Sequence, residues 1–233
     1  MEIFEEIGDS LRYLTVLPND YRAERDYPLL IFLHGFGANM GDLVPLASSI
    51  DQNGYIYVFP NAPMGFQMGT GESGFGWLPP VGMGREPEHV IRSTDMVEKF
   101  FVEIIEKFHT LSGNAALIGF SQGGEMAYRC GLSNPERFSG LAALCSTNPT
   151  PEELTPLLPA IRKQLIFIAE GFEDPMIAPE RIQQTKVFLE EVGYDVFYKG
   201  YDMGHEISPA VLKDLAAWLN DFLPPLSLQA GEN

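Results

Sequence analysis

Ala115-Ala116-Leu117-Ile118-Gly119-Phe120-Ser121-Gln122-Gly123-Gly124 joins a short apolar run to a segment with helical spacing, and the turn between them decides the fold. Glycines two positions either side of a serine relieve crowding where a strand turns sharply into a helix and holds the serine exposed. With 23 glycines among 233 residues, the bare Gly-x-Ser-x-Gly pattern is expected about 0.1 times by chance, so its context must carry the reading. That context is a strand over 115–118 and a helix from Gln122 to Leu132.

Working outward, further apolar runs bounded by turn residues read as buried strands: Leu29 to Leu33, Tyr55 to Phe59, Leu141 to Leu144 and Leu165 to Ile168. Their near-continuous apolarity predicts a sheet covered on both faces. Between them, Met96, Val97, Phe100, Phe101, Ile104, Ile105 and Phe108 share one face of a helix whose other face is charged. Further helices are predicted over Pro179 to Val192 and Pro209 to about Phe222. Strands alternating with helices imply an α/β architecture with a mostly parallel central sheet and helices on both faces.

No repeat, charge block or low-complexity tract divides the chain, so one domain over 1–233 is the expectation, with a frayed tail over 224–233. Fifteen basic against 32 acidic residues give a net charge of −17, which argues against nucleic acid and against stable association with an anionic membrane. The first residues, Met1 to Glu6, lack a basic region, and no apolar run approaches the roughly 20 residues that span a bilayer. A cytoplasmic location is expected. Cys130 and Cys145 sit in apolar surroundings and read as buried free thiols.

The segment from Pro60 to Arg92 breaks the rhythm. Seven glycines and five prolines in 33 residues leave no period, yet Met64, Phe66, Met68, Phe75, Trp77 and Met83 lie there. Such a composition predicts an ordered loop lining an apolar site.

Four histidines could serve Ser121, whose hydroxyl needs a base to become a nucleophile. His109 and His89 have surface explanations, and His34, which precedes the serine, reads as a hydrogen-bonded structural residue. His205, in Asp202-Met203-Gly204-His205-Glu206, follows both the serine and a strand-end acid. That acid is read as Asp174, just beyond the strand ending at Ile168, with Glu170 and Glu173 as rivals. Separations of 53 and 31 residues leave room for one strand-helix unit each. The backbone N–H of Gln122, at the positive end of a helix, can stabilise a developing oxyanion. A second donor is expected from Leu33-His34-Gly35-Phe36-Gly37, on Phe36 or a neighbour. There is no H-E-x-x-H, C-x-x-C or phosphate-loop pattern, and neither cofactor nor metal is expected.

In these motifs, taken with Gly171, Asp174-Pro175 and Gly204-His205-Glu206-Ile207, the chain resembles the phospholipase/carboxylesterase family of α/β-hydrolases. The resemblance extends from about Leu11 to Phe222. It implies an α/β-hydrolase fold without a separate lid domain, a triad of Ser121, Asp174 and His205, and oxyanion donors on the amides of Phe36 and Gln122. Trp77 is similar to a tryptophan that many members carry beside the acyl pocket, although Leu78-Pro79-Pro80 departs from the usual acidic sequel. Glu170 stands where many members have histidine, and the stretch after Asp174 is one residue longer than the common spacing.

The expected reaction is hydrolysis of small-molecule esters, and of thioesters by extension, with apolar acyl groups of short to medium length. Gly35, Met68, Phe75, Trp77 and Met176 are the expected substrate contacts. An acyl-protein thioesterase or a lysophospholipase is the alternative enzyme, and a non-catalytic ligand-binding protein is the alternative from another class. A monomer or homodimer is expected.

Overall fold

The computed structural model describes residues 1–67, 69, 71, 73–80, 82 and 84–227. In chain order the elements are β1 (Glu2–Ile7), β2 (Arg12–Leu17), β3 (Leu29–Leu33), α1 (Pro45–Ile50), β4 (Ile56–Pro60), β5 (Met64–Gln67), β6 (Ser73–Gly76), α2 (Pro87–Lys107), β7 (Ala115–Phe120), α3 (Gln122–Gly131), β8 (Phe138–Leu144), α4 (Pro151–Leu154), β9 (Leu165–Gly171), α5 (Pro179–Glu191), β10 (Asp195–Tyr201) and α6 (Pro209–Phe222).

Eight strands form one sheet in the order β1-β2-β4-β3-β7-β8-β9-β10. From β4 to β10 every pairing is parallel, while β1 and β2 close one edge antiparallel. Alternate residues of each central strand enter different cores. Leu29, Ile31 and Leu33 pack with Phe100, Phe101 and Met126 of α2 and α3. Leu30 and Phe32 pack with Ala47 of α1 and with Leu215 and Leu219 of α6. Helices therefore cover both faces, which is why the strand sequences are apolar throughout.

The chain winds from β3 outward to β4, then returns past β3 to β7 and continues the other way. The carboxyl ends of β3 and β7 thus flank a topological switch point, where the connections diverge and leave a crevice. Ser121 and the Gly35–Phe36 turn lie at those two ends.

Several expectations are adjusted. The stretch 60–92 is not one irregular loop: it holds the β5–β6 hairpin, and α2 begins at Pro87. Pro87 at the first helical position needs no N–H partner, and the His89 ring accepts the Glu86 N–H at 3.2 Å, so the helix starts well before its first apolar residue. The tail expected to fray from 224 is anchored at its start. The Tyr55 hydroxyl donates to the Leu223 carbonyl at 2.6 Å, and the Leu226 N–H donates to the Gly54 carbonyl at 2.9 Å. Residues 228–233 lie outside the described residues.

The β7–α3 turn is the most crowded piece of backbone. Ser121 has φ 54° and ψ −119°. A Cβ on Gly119 would collide with the Gly123 carbonyl, one on Gly123 with the Leu33 carbonyl, and one on Gly124 with the Ser146 side chain. Gly123→Ala should therefore destabilise the protein by about 2 kcal/mol or more, read as a lower urea midpoint. Gly69→Ala, where a Cβ meets nothing within 4 Å among the described residues, should stay within about 0.5 kcal/mol of wild type.

Candidate active site

Three loops at the carboxyl ends of the strands bring Ser121, Asp174 and His205 together. His205 Nε2 lies 3.0 Å from Ser121 Oγ, and Nδ1 lies 2.7 Å from Asp174 Oδ2. The Asp174 carboxylate can only accept, so Nδ1 carries the proton and donates it, and Nε2 is left to accept from the serine hydroxyl. The second carboxylate oxygen, Oδ1, accepts the N–H groups of Met176 at 2.8 Å and Ile177 at 3.1 Å. The Asp174 side chain is only 1% exposed, and the imidazole lies against the Phe120 ring.

Backbone-to-backbone packing sets this geometry. A Cβ on Gly171, at the end of β9, would run into the carbonyls of Met203 and Gly204. The absence of one lets the acid loop and the histidine loop join through Phe172 N–H to Tyr201 O and Glu173 N–H to Met203 O, at 2.9 and 3.0 Å. Beneath them the Cys145 thiol donates to the Glu206 carbonyl at 3.4 Å, and burial pushes it up to about 11. Of the rival acids, Glu170 is buried and bonded to the Tyr198 hydroxyl, and Glu173 is exposed. Neither reaches the imidazole.

The opposite wall is the Gly35–Phe36 turn. A Cβ on Gly35 would sit 3.3 Å from that of Ser121, so any larger residue would crowd the serine. The N–H groups of Phe36 and Gln122 make no hydrogen bond among the described residues, which leaves both as free donors beside the serine. The turn is held from several sides. Gly37 N–H donates to Phe75 O at 2.8 Å and Phe75 N–H to Ala38 O at 2.9 Å, stitching the turn to β6. The Trp77 indole N–H donates to the His34 carbonyl at 2.8 Å.

His34 donates from Nδ1 to the Gly35 carbonyl at 2.7 Å and accepts the Ala62 N–H at Nε2, 3.1 Å away. No hydrogen bond joins it to Ser121 among the described residues. The Gln122 side chain is a feature the sequence reading missed, having assigned that residue only a backbone role. Its oxygen accepts the Trp77 N–H at 2.8 Å and its nitrogen donates to the Leu78 carbonyl at 2.7 Å, so one residue presents an N–H to the site and clamps the end of the hairpin.

The expected substrate contacts separate into two groups. Met176 is 69% exposed and open at the rim, as is Phe36, 44% exposed and stacked on Phe66, a side chain for which no substrate contact was expected. Phe75 packs against the core, and Trp77 is fully buried beside the Gly35–Phe36 turn. Trp77 borders a cavity of about 210 Å³ shared with Pro63, Met64 and Met96, and it braces the turn as well. Met68 lies outside the described residues. On the β8–β9 side of Ser121 a second cleft of about 590 Å³ includes Thr147 and Met176. Among the described residues no group of three or more His, Cys, Asp or Glu could hold a metal ion, and no helix is long and apolar enough to cross a membrane.

The family model described as phospholipase/carboxylesterase matches residues 21–223. Acyl-protein thioesterase 1 of Aspergillus fumigatus is 29% identical over 217 residues, covering 84% of this chain and 88% of that protein. Carboxylesterase SOBER1 of Arabidopsis thaliana is 27% identical over 204 residues, covering 82% and 88%. The crystal structure of the Bacillus cereus carboxylesterase superposes with a TM-score of 0.74 at 19% identity, covering 92% of this chain and 95% of that one. The fold is the α/β-hydrolase fold.

Burial holds the His34 pKa below the ordinary histidine value. The unfolded chain therefore takes up this proton more readily, so the contribution of neutral His34 to stability is complete above about pH 6.5 and is lost as pH falls below it. Urea unfolding between pH 7.5 and 5 should show a smaller loss of stability for His34→Gln than for wild type.

Proposed function

The chain belongs to the phospholipase/carboxylesterase family and is a hydrolase acting on ester bonds, and we propose that it works through an acyl-enzyme on Ser121. His205 Nε2 takes the serine proton as Oγ attacks the ester carbonyl. The negative charge that develops on the carbonyl oxygen is held by the N–H groups of Phe36 and Gln122, which need no reorganisation because their loop is already braced. Asp174 keeps the imidazole in the tautomer that can accept this proton and stabilises the imidazolium. The imidazolium then gives the proton to the departing alcohol, and a water activated by the same nitrogen releases the acid.

The observation that carries this reading is the pair of hydrogen bonds through His205, 3.0 Å to Ser121 and 2.7 Å to Asp174. A thioester follows the same steps with a thiolate leaving, and relatives named as acyl-protein thioesterases support that extension. The exposed Phe36 and its stacking partner Phe66 favour an uncharged acyl group of short to medium length on the β3 side. Two buried thiols without a disulfide suit a reducing compartment, and we place the protein in the cytoplasm.

Hydrolysis of 4-nitrophenyl butyrate should fall by at least about 1,000-fold in Ser121→Ala. Asp174→Asn, which keeps the shape but favours the wrong imidazole tautomer, should cost about 10⁴ in kcat. Labelling by a fluorophosphonate should be found on Ser121 in wild type. Full activity in Ser121→Ala would remove the assignment.

A further inference from the structure

We propose that the cleft on the β8–β9 side of Ser121 is a carboxylate subsite, in which Arg181 and Asn148 take the anionic end of the alcohol portion of the ester. The proposal rests on the esterase reading above and names the class of ester. The wall of this cleft of about 590 Å³ includes residues hydrogen-bonded to Ser121 and Asp174. Thr147 N–H donates to the Ser121 carbonyl at 3.3 Å, Met176 N–H donates to Asp174 Oδ1 at 2.8 Å, and both residues line the cleft.

In a chain of net charge −17, this cleft carries three guanidinium groups, Arg85, Arg129 and Arg181, against two carboxylates, Glu125 and Glu153. The pairing is uneven. Glu125 meets Arg85 at 2.7 Å and Arg129 at 2.9 Å, and Glu153 meets Arg129 at 2.6 Å. The other Glu153 oxygen accepts the Thr150 N–H at 2.8 Å. Two carboxylates thus offset two guanidiniums. Arg181 donates to the Asn148 carbonyl at 2.9 Å and has no carboxylate within ion-pair distance among the described residues.

Asn148 supplies a second, independent sign. It is 7% exposed, yet neither polar atom of its side chain has a partner among the described residues. An unmade buried amide costs about 1–3 kcal/mol, which a bound group can recover. A carboxylate accepts from a guanidinium and from an amide NH₂ together. Its single charge matches the one arginine of the cleft without an ion-pair partner among the described residues, which feels the exposed Glu152 only at longer range, whereas a phosphate dianion would bring a second charge with no cation left for it.

The sheet order assigns the two halves of the ester. Ser121 follows β7, with β3 and Phe36 on one side and β8 and β9 on the other. An apolar acyl group against Phe36 and Phe66 directs the alcohol portion toward Arg181.

The test compares kcat/KM for butyryl esters of 3-hydroxypropanoate, 4-hydroxybutanoate and 5-hydroxypentanoate with that for the corresponding primary amides, by titration of the released acid. At one chain length the carboxylate should be preferred by about tenfold or more, mainly through KM, and 0.5 M salt should shrink the preference. Arg181→Gln should bring the ratio close to one, while Arg162→Gln, an exposed arginine outside the cleft, should preserve it. A wild-type ratio near one, or a ratio unmoved by Arg181→Gln, overturns the subsite while leaving ester hydrolysis standing. Stronger competitive inhibition by inorganic phosphate than by glutarate overturns the carboxylate assignment. Hydrolysis of neither the acids nor the amides overturns the esterase reading and the subsite with it.

Discussion

The close approach of α3 to the ends of β7 and β3 is the constraint on which the rest depends. Helix and strand meet there with no side chain between them, because the Cβ atoms absent from Gly119, Gly123 and Gly124 would each fall on backbone or on Ser146. The approach turns Ser121 into a backbone conformation that L residues rarely adopt and leaves the first N–H of α3 pointing away from any helical acceptor. A hydroxyl turned toward His205 and an unpaired donor are therefore two outcomes of one packing requirement. The same requirement recurs at Gly171, where the acid and histidine loops touch backbone to backbone.

Around that turn the site is held by hydrogen bonds that cross between distant parts of the chain. Gln122 links α3 to Trp77 and Leu78, Trp77 links the hairpin to His34, and His34 links the Gly35–Phe36 turn to Ala62. All five residues are buried, so these bonds are made where water competes little. Orientation of the Phe36 amide thus depends on residues 28 to 45 positions apart in sequence. The acid side is simpler: two N–H groups of its own loop fix one oxygen of Asp174 and leave the other for the imidazole.

Much of this was legible in the sequence where one physical signal dominates. Strands buried on both faces give apolar runs, so β3 could be read to the residue, β7, β8 and β9 were located but read two or three residues short, and α6 matches its expected span from Pro209 to Phe222. Chain order and strand-end position were enough to select Ser121, Asp174 and His205, which the fold brings into contact. Strands β1 and β2 were missed because the edge of the sheet is exposed: Glu2, Glu5, Glu6 and Arg12 interrupt the apolar pattern. The β5–β6 hairpin was hidden by its glycines, which resemble loop. The arginine cluster could not be seen, since Arg85, Arg129 and Arg181 lie before α2, within α3 and within α5 with no local motif. Trp77 was found for its type, but only the fold could place it underneath the site.

The web of bonds beneath the oxyanion turn also separates what can drift from what cannot. Phe36, Phe66 and Met176 present side chains at the rim without anchoring any buried polar atom, while Gln122, His34 and Trp77 each satisfy groups that would otherwise be stranded. Over evolutionary time the mouth of such a catalyst is free to be retailored by single substitutions, because its reactive centre is insulated from them. Diversification of diet without loss of chemistry is then built into the architecture.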